Sequence, residues 1–199
     1  MFIVFEGIDG AGKSTQVRLL EEELRMRHCA PVVVREPGAT RVGEAVRSLL
    51  LSPAYREMAP AAEALLYLAS RAQAVAERIR PALAAGRVVL ADRFAPSTLA
   101  YQGYGRGLDL ALLRQVNLLA TGGLAPDLVF LLDLPPAEAL RRARAGGADR
   151  LEQETLSFYA RVRQGYLELA AAEGYLVLDG TLPPGEVARR VLEVVLARV

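Results

Sequence analysis

The chain has 199 residues, is 52% hydrophobic, and carries 24 basic against 23 acidic side chains, for a formal net charge of +1. That balance excludes any case from bulk charge for a nucleic-acid or membrane-surface partner, so a basic site has to be local. The length suits one domain, residues 1–199, with a good core.

Apolar runs such as Leu128 to Leu132 are too short to span a bilayer, and residues 1–20 turn acidic at Glu6 and glycine-rich at Gly7, unlike a signal peptide. Cys29 is the one cysteine. It permits no internal disulfide and fits a reducing cytoplasm. It neighbours the one histidine, His28, but adjacent helical residues diverge and no oxyanion site lies nearby, so no nucleophile pair is expected.

In chain order, Phe2-Ile3-Val4-Phe5 reads as a first strand, followed by a glycine-rich loop and then helical spacing at Val17, Leu20 and Leu24. Further strands are expected at 31–34, 88–91, 128–132 and 175–178. Each is short, nearly all apolar, and bounded by Gly, Pro or a charge, as buried parallel strands are. Helices fill the intervals at roughly 42–51, 60–84, 109–121, 136–145, 153–172 and 185–198, with Pro60 and Pro136 at tolerated first-turn positions. The alternation predicts an α/β fold, a five-stranded parallel sheet covered by helices. Between two helical stretches, residues 142–151 combine Gly146-Gly147 with flanking arginines and read as a short lid.

Of the 24 basic residues, 23 are arginine, and the one lysine is Lys13. It stands in Gly7-Ile8-Asp9-Gly10-Ala11-Gly12-Lys13-Ser14-Thr15, which fits the phosphate-binding pattern G-x-x-x-x-G-K-[ST]. A compact ammonium on a flexible stem can lie along such a loop and reach β- and γ-phosphate oxygens, where a wider forked guanidinium would not substitute. Backbone N–H groups of Gly10 to Ser14 would cradle the β-phosphate at a helix N-terminus. Ser14 would offer its hydroxyl to Mg²⁺.

Asp92-Arg93 ends the third strand, at the edge where open parallel sheets place their ligands. Asp92 there could hold a Mg²⁺-bound water and Arg93 neutralise phosphate, or the two could form a surface ion pair. Tyr67 and Arg71, at i and i+4, could be a stacking-plus-donor pair for a planar, oxygen-rich base, or an ordinary amphipathic face with an exposed arginine. Asn-Lys-x-Asp is absent, which argues against guanine recognition. A metal-binding cysteine cluster and a catalytic triad are absent too.

Five segments lie in register: Phe5-Glu6-Gly7-Ile8-Asp9-Gly10, Arg35-Glu36-Pro37-Gly38, Asp92-Arg93-Phe94, Ala100-Tyr101-Gln102-Gly103 and Asp149-Arg150-Leu151-Glu152. Together they resemble the thymidylate kinase family over almost the whole chain. The resemblance implies a P-loop nucleoside monophosphate kinase-like fold, and transfer of the ATP γ-phosphoryl group to dTMP with Mg²⁺. It also implies a homodimer packing helices around 42–84 and 109–121; charge, run lengths and the lone cysteine add the expectation of a cytoplasmic protein with no nucleic-acid or membrane partner.

The resemblance assigns Asp9 to the acceptor sugar and phosphate, Glu36 to the active centre, and Arg47 and Arg93 to the acceptor phosphate. Tyr67, where the family usually has phenylalanine, would stack on thymine, and Arg71 would reach a base carbonyl. Thr98 and Gln102 would face the pyrimidine edge, with Tyr101 against the deoxyribose. Gly10 stands where some relatives carry a phosphate-loop arginine, so a cation from Arg142, Arg144 or Arg150 is expected, with Arg150 as the finger and Arg142 toward the co-substrate. The alternatives are a kinase for another monophosphate or a deoxynucleoside, and a nucleotide-dependent switch without transfer.

Overall fold

The computed structural model describes residues 1–144, 150, 151 and 153–198, without the side chains of residues 143 and 144. Five parallel strands form one sheet in the order β2-β3-β1-β4-β5: β1 (Phe2–Glu6), β2 (Val32–Arg35), β3 (Val89–Asp92), β4 (Leu128–Asp133) and β5 (Leu176–Asp179). The five expected strands are present, each shifted by at most one residue at its start. Every strand ends on a charged residue (Glu6, Arg35, Asp92, Asp133 and Asp179), so the carboxyl edge is a polar rim on an apolar sheet.

The helices are α1 (Lys13–Met26), α2 (Arg41–Leu51), α3 (Pro60–Ala74), α4 (Arg80–Ala84), α5 (Ala95–Thr98), α6 (Leu110–Thr121), α7 (Pro136–Arg144), α8 (Leu156–Glu173) and α9 (Pro184–Leu196). Alternate strand residues feed two cores. Ile3, Phe5, Leu90 and Phe130 pack with α1 and α9, whereas Phe2, Val4, Val89 and Ala91 pack with Ala74, Val75 and Ile79. Burial of both faces is why these strands read as unbroken apolar runs.

The expected helix 60–84 runs the full interval, but as α3 and α4 joined by a π-helical stretch, Val75–Ile79. The Arg80 N–H reaches Val75 O, five residues back. The wider turn immediately precedes Pro81, which lacks an N–H and would crowd the carbonyl four residues earlier in a regular helix.

One helical region was not expected. Residues 95–105 form α5 and a second π-helical stretch, Leu99–Gly105. Its inward residues include Thr98 and Gln102, both buried, so an apolar period is missing. His28 and Cys29 lie beyond α1, with His28 in the left-handed region at φ 60°. The expected lid, about 142–151, falls largely outside the described residues, as do Asp149, Glu152 and the side chain of Arg144.

Candidate active site at the carboxyl edge of the sheet

The glycine loop joins β1 to α1. Gly7 has φ 139°, and a Cβ there would sit 2.5 Å from the Leu132 carbonyl oxygen, so β4 leaves room only for glycine. Gly12, at φ 97°, turns the chain into the helix that Lys13 begins. Lys13 is 6% exposed, and its Nζ donates to Ile8 O at 3.0 Å, which folds the ammonium back along the loop. Burial lowers its pKa to about 8, with Arg93 pushing the same way and Asp9, Asp92 and Glu6 opposing.

Parallel pairing sets Phe5 beside Asp92, so the end of β3 meets the phosphate loop. Ser14 Oγ donates to Asp92 Oδ2 at 2.5 Å. Asp92 therefore does not form the surface ion pair considered above; it faces a hydroxyl at the start of α1. Two hard oxygen donors side by side suit Mg²⁺, which commonly takes one or two protein ligands and fills its sphere with water and phosphate. Among the described residues no group of three or more His, Cys, Asp or Glu could hold a metal.

Arg93 ties the glycine loop to residues 97 and 101 and to α8 from a backbone at φ 76°, a conformation that is costly for any residue with a Cβ. Its guanidinium donates to Gly7 O, Ser97 Oγ, Tyr166 OH, Tyr101 OH and Asp9 Oδ1. Burial would raise the Asp9 pKa, but Arg93, Lys13 and the Tyr101 hydroxyl outweigh it and hold the carboxyl at about 2. Beneath this layer Glu6 accepts from Phe94 N–H, Ser97 Oγ and Tyr166 OH. Its burial raises its pKa against the pull of Arg93.

The end of β2 carries Glu36, whose Oε2 accepts from Arg71 Nε at 2.7 Å. Arg71 also donates to Thr98 Oγ1, Asn117 Oδ1 and Phe94 O. Of its five N–H groups, these four bonds leave one. At 1% exposure it is not the exposed arginine of an ordinary amphipathic helix. Burial pushes Glu36 up to about 7, although Arg71 opposes the shift. Arg47 Nη1 donates to Pro37 O at 3.0 Å.

These groups line one cleft of about 440 Å³, within the range of small-molecule sites. It joins Asp9, Gly10, Gly12, Lys13, Ser14 and Thr15 to Glu36, Arg47, Tyr67, Arg71, Asp92, Arg93, Thr98, Tyr101, Gln102 and Arg142. Gly7 and Ile8 contribute carbonyls behind it. A second hollow of about 430 Å³ shares Gly10, Gly12, Thr15 and Arg142, and continues to Ala11, Gln16 and the turn 180–184. Arg142 bridges the two, donating to Gly180 O at 3.0 Å and to Glu138.

Arg150 sits against α2 and α3. It is not brought to the phosphate loop. Its Nε donates to Leu50 O at 2.8 Å, and its Nη2 lies 2.7 Å from Glu63 Oε2, in a cluster that also holds Gln102 and Arg106. A fully buried carboxylate at Glu63 needs cations around it, and Arg150 supplies one.

Reading the sequence also missed Glu6, Ser97, Asn117, Tyr166 and the turn at 180–184. For Glu6 a signal existed: a carboxylate in a strand otherwise apolar on both faces.

A family model described as thymidylate kinase matches residues 5–191. The thymidylate kinase of Desulforudis audaxviator is 57% identical over 188 residues, covering 93% of this chain and 85% of its own length. That of Deinococcus radiodurans is 54% identical over 201 residues, covering 100% and 97%. The crystal structure of thymidylate kinase from Ehrlichia chaffeensis superposes with a TM-score of 0.81 at 34% identity, covering 98% of both chains.

Proposed function

The chain belongs to the thymidylate kinase family and transfers the γ-phosphoryl group of ATP to dTMP, giving dTDP and ADP; we propose the following division of labour for its residues. The observation that carries it is the single cleft linking Lys13 and Ser14 to Tyr67, Thr98 and Gln102. Phosphoryl transfer rests on positioning and charge stabilisation rather than covalent help, and this cleft has the groups for both.

On the donor side, loop N–H groups and Lys13 hold the β- and γ-phosphates, and the hollow reaching to 180–184 takes the donor base. Ser14 and Asp92 would hold Mg²⁺, which when bound supplies positive charge against the phosphate oxygens. On the acceptor side, Arg93 and Arg47 face the monophosphate. Asp9, held ionised, lies beside Tyr101 at the sugar. Glu36 orients Arg71, whose remaining N–H is available to a base carbonyl, while Tyr67 offers a ring face. Arg142, which lines both hollows, best supports the role of second cation. Arg150 would have to leave Glu63 to serve as the finger.

We place residues 1–199 in one domain and the protein in the cytoplasm, where the free thiol of Cys29 stays reduced. No helix among the described residues is long and apolar enough to cross a membrane. Val42, Leu49, Leu65, Leu112 and Leu119 are exposed on α2, α3 and α6, which pack α2 on α3 and α3 on α6. That apolar exposure supports a homodimer through this face. Sedimentation equilibrium tests it: Leu119→Glu should shift the chain toward monomer.

A coupled ADP-release assay across dTMP, dUMP, dCMP, AMP and thymidine tests the acceptor. Fastest turnover on anything but dTMP overturns the assignment. Tight ATP binding with no acceptor turnover would favour a nucleotide-dependent switch.

A further inference from the structure

Glu63 is fully buried, does not line the cleft, and is surrounded by donors. It stands one helical turn before Tyr67 and two before Arg71, so i, i+4 and i+8 share one face of α3. Its Oε1 accepts from Gln102 Nε2 at 2.9 Å and Arg106 Nε at 3.2 Å. Its Oε2 accepts from Arg106 Nη2 at 3.0 Å and meets Arg150 Nη2 at 2.7 Å. Burial would raise its pKa, but these donors outweigh burial and lower it. An ionised carboxylate only accepts.

The consequence falls on Gln102. A side-chain amide can face a neighbour with either its oxygen or its nitrogen, and opposite an obligate acceptor only the nitrogen fits. Gln102 Nε2 is therefore committed to Glu63, and Oε1 is left to the cleft that Gln102 lines. An acceptor at that position matches a pyrimidine whose ring N3 bears hydrogen, as in thymine and uracil. It opposes cytosine, whose N3 offers a lone pair.

We infer that Glu63 is a positioning residue for base selectivity: by fixing the amide of Gln102 with its oxygen toward the acceptor base, it selects N3-protonated pyrimidine monophosphates over dCMP. This rests on the dTMP assignment above.

The test is the ratio of kcat/KM for dTMP to that for dCMP. In Glu63→Gln the two arginines, Arg106 and Arg150, would draw the new carbonyl and turn its NH₂ toward Gln102, which then presents its own nitrogen to the cleft. The ratio should fall by about tenfold or more, the scale of one mismatched buried hydrogen bond, while the KM for ATP stays put. The double variant Glu63→Gln with Gln102→Glu restores an acceptor facing the cleft and keeps a carboxylate near the arginines, so the ratio should recover.

A Glu63→Gln enzyme with the wild-type ratio overturns the inference. Should that variant not fold, the double variant carries the test alone: a wild-type-like ratio supports the assignment, and a lost preference for dTMP overturns it. A wild-type enzyme without preference for dTMP would sink the assignment of function itself, an outcome distinct from a preference that survives Glu63→Gln.

Discussion

Arg71 and Glu36 form an ion pair 2.7 Å apart whose side chains are 1% and 3% exposed. Pairs so deeply desolvated gain little net stability, but removing one partner strands the other charge out of water. Arg71→Ala should therefore cost about 3–5 kcal/mol, read as a drop in the urea unfolding free energy. It should also weaken dTMP binding more than ATP binding, because Arg71 lines the cleft with Tyr67, Thr98 and Gln102, the part proposed for the acceptor base. Equal losses for both nucleotides would show that Arg71 serves the fold alone.

The same pair has a pH signature. Burial lifts Glu36 from an ordinary 4.5 to about 7, against the pull of Arg71. Between those values the folded chain keeps a proton that the unfolded chain releases, so this group's contribution to stability falls as pH rises from 4.5 to 7 and is flat above. The loss across the window is about 3 kcal/mol. Glu36→Gln removes this titration. Between pH 5 and pH 7.5 the unfolding free energy of the wild type should therefore fall by about 2 kcal/mol more than that of the variant. Parallel curves would mean Glu36 is already ionised throughout.

Lys13 predicts a proton uptake. Burial and the neighbouring Arg93 lower its pKa to about 8, against the opposing carboxylates, so at pH 8 about half the free enzyme carries a neutral amine there. A bound triphosphate favours the ammonium, and ATP binding at that pH should draw in part of a proton. Titration calorimetry in two buffers of different ionisation enthalpy reads this directly. Lys13→Arg, always charged, should abolish the uptake. It should also cut turnover on the order of 10²-fold, since a wide fork does not follow the loop as a point charge does. Near-full activity would show that the loop tolerates any cation.

What the sequence made legible here was whatever depends on neighbours along the chain or on a simple period. The strands announce themselves because both faces are buried, and the phosphate loop because its glycines and Lys13 act within nine residues. Asp92 could be placed beside that loop because strand ends converge in a parallel sheet. The helical region 95–105 was hidden because polar Ser97, Thr98 and Gln102 are buried alongside Leu99, Ala100 and Tyr101, so no apolar period marks it. Arg71 looked exposed because its partners at 36, 94, 98 and 117 are brought together only by the fold. The contact of Arg150 with Glu63 was hidden for the same reason, since the two stand 87 positions apart.

Gly165 offers a test that does not touch the cleft. A Cβ built there would lie 2.5 Å from Tyr104 Cγ and Cδ2, and 2.8 Å from Tyr104 Cβ. Those atoms sit close to the backbone of the π-helical stretch Leu99–Gly105, so the clash cannot be relieved by swinging a side-chain tip. Alanine favours α8 over glycine by about 1 kcal/mol in helix propensity, whereas overpacking typically costs about 1–3 kcal/mol, so Gly165→Ala should be net destabilising. The displaced stretch carries Tyr101 and Gln102, so the KM for dTMP should rise more than that for ATP. Gly185→Ala is the control, because a Cβ at that position of α9 meets nothing within 4 Å. It should leave both KM values unchanged and raise stability slightly. If Gly165→Ala instead behaved like Gly185→Ala, the contact of α8 with Tyr104 would not be what holds the base-side stretch in place.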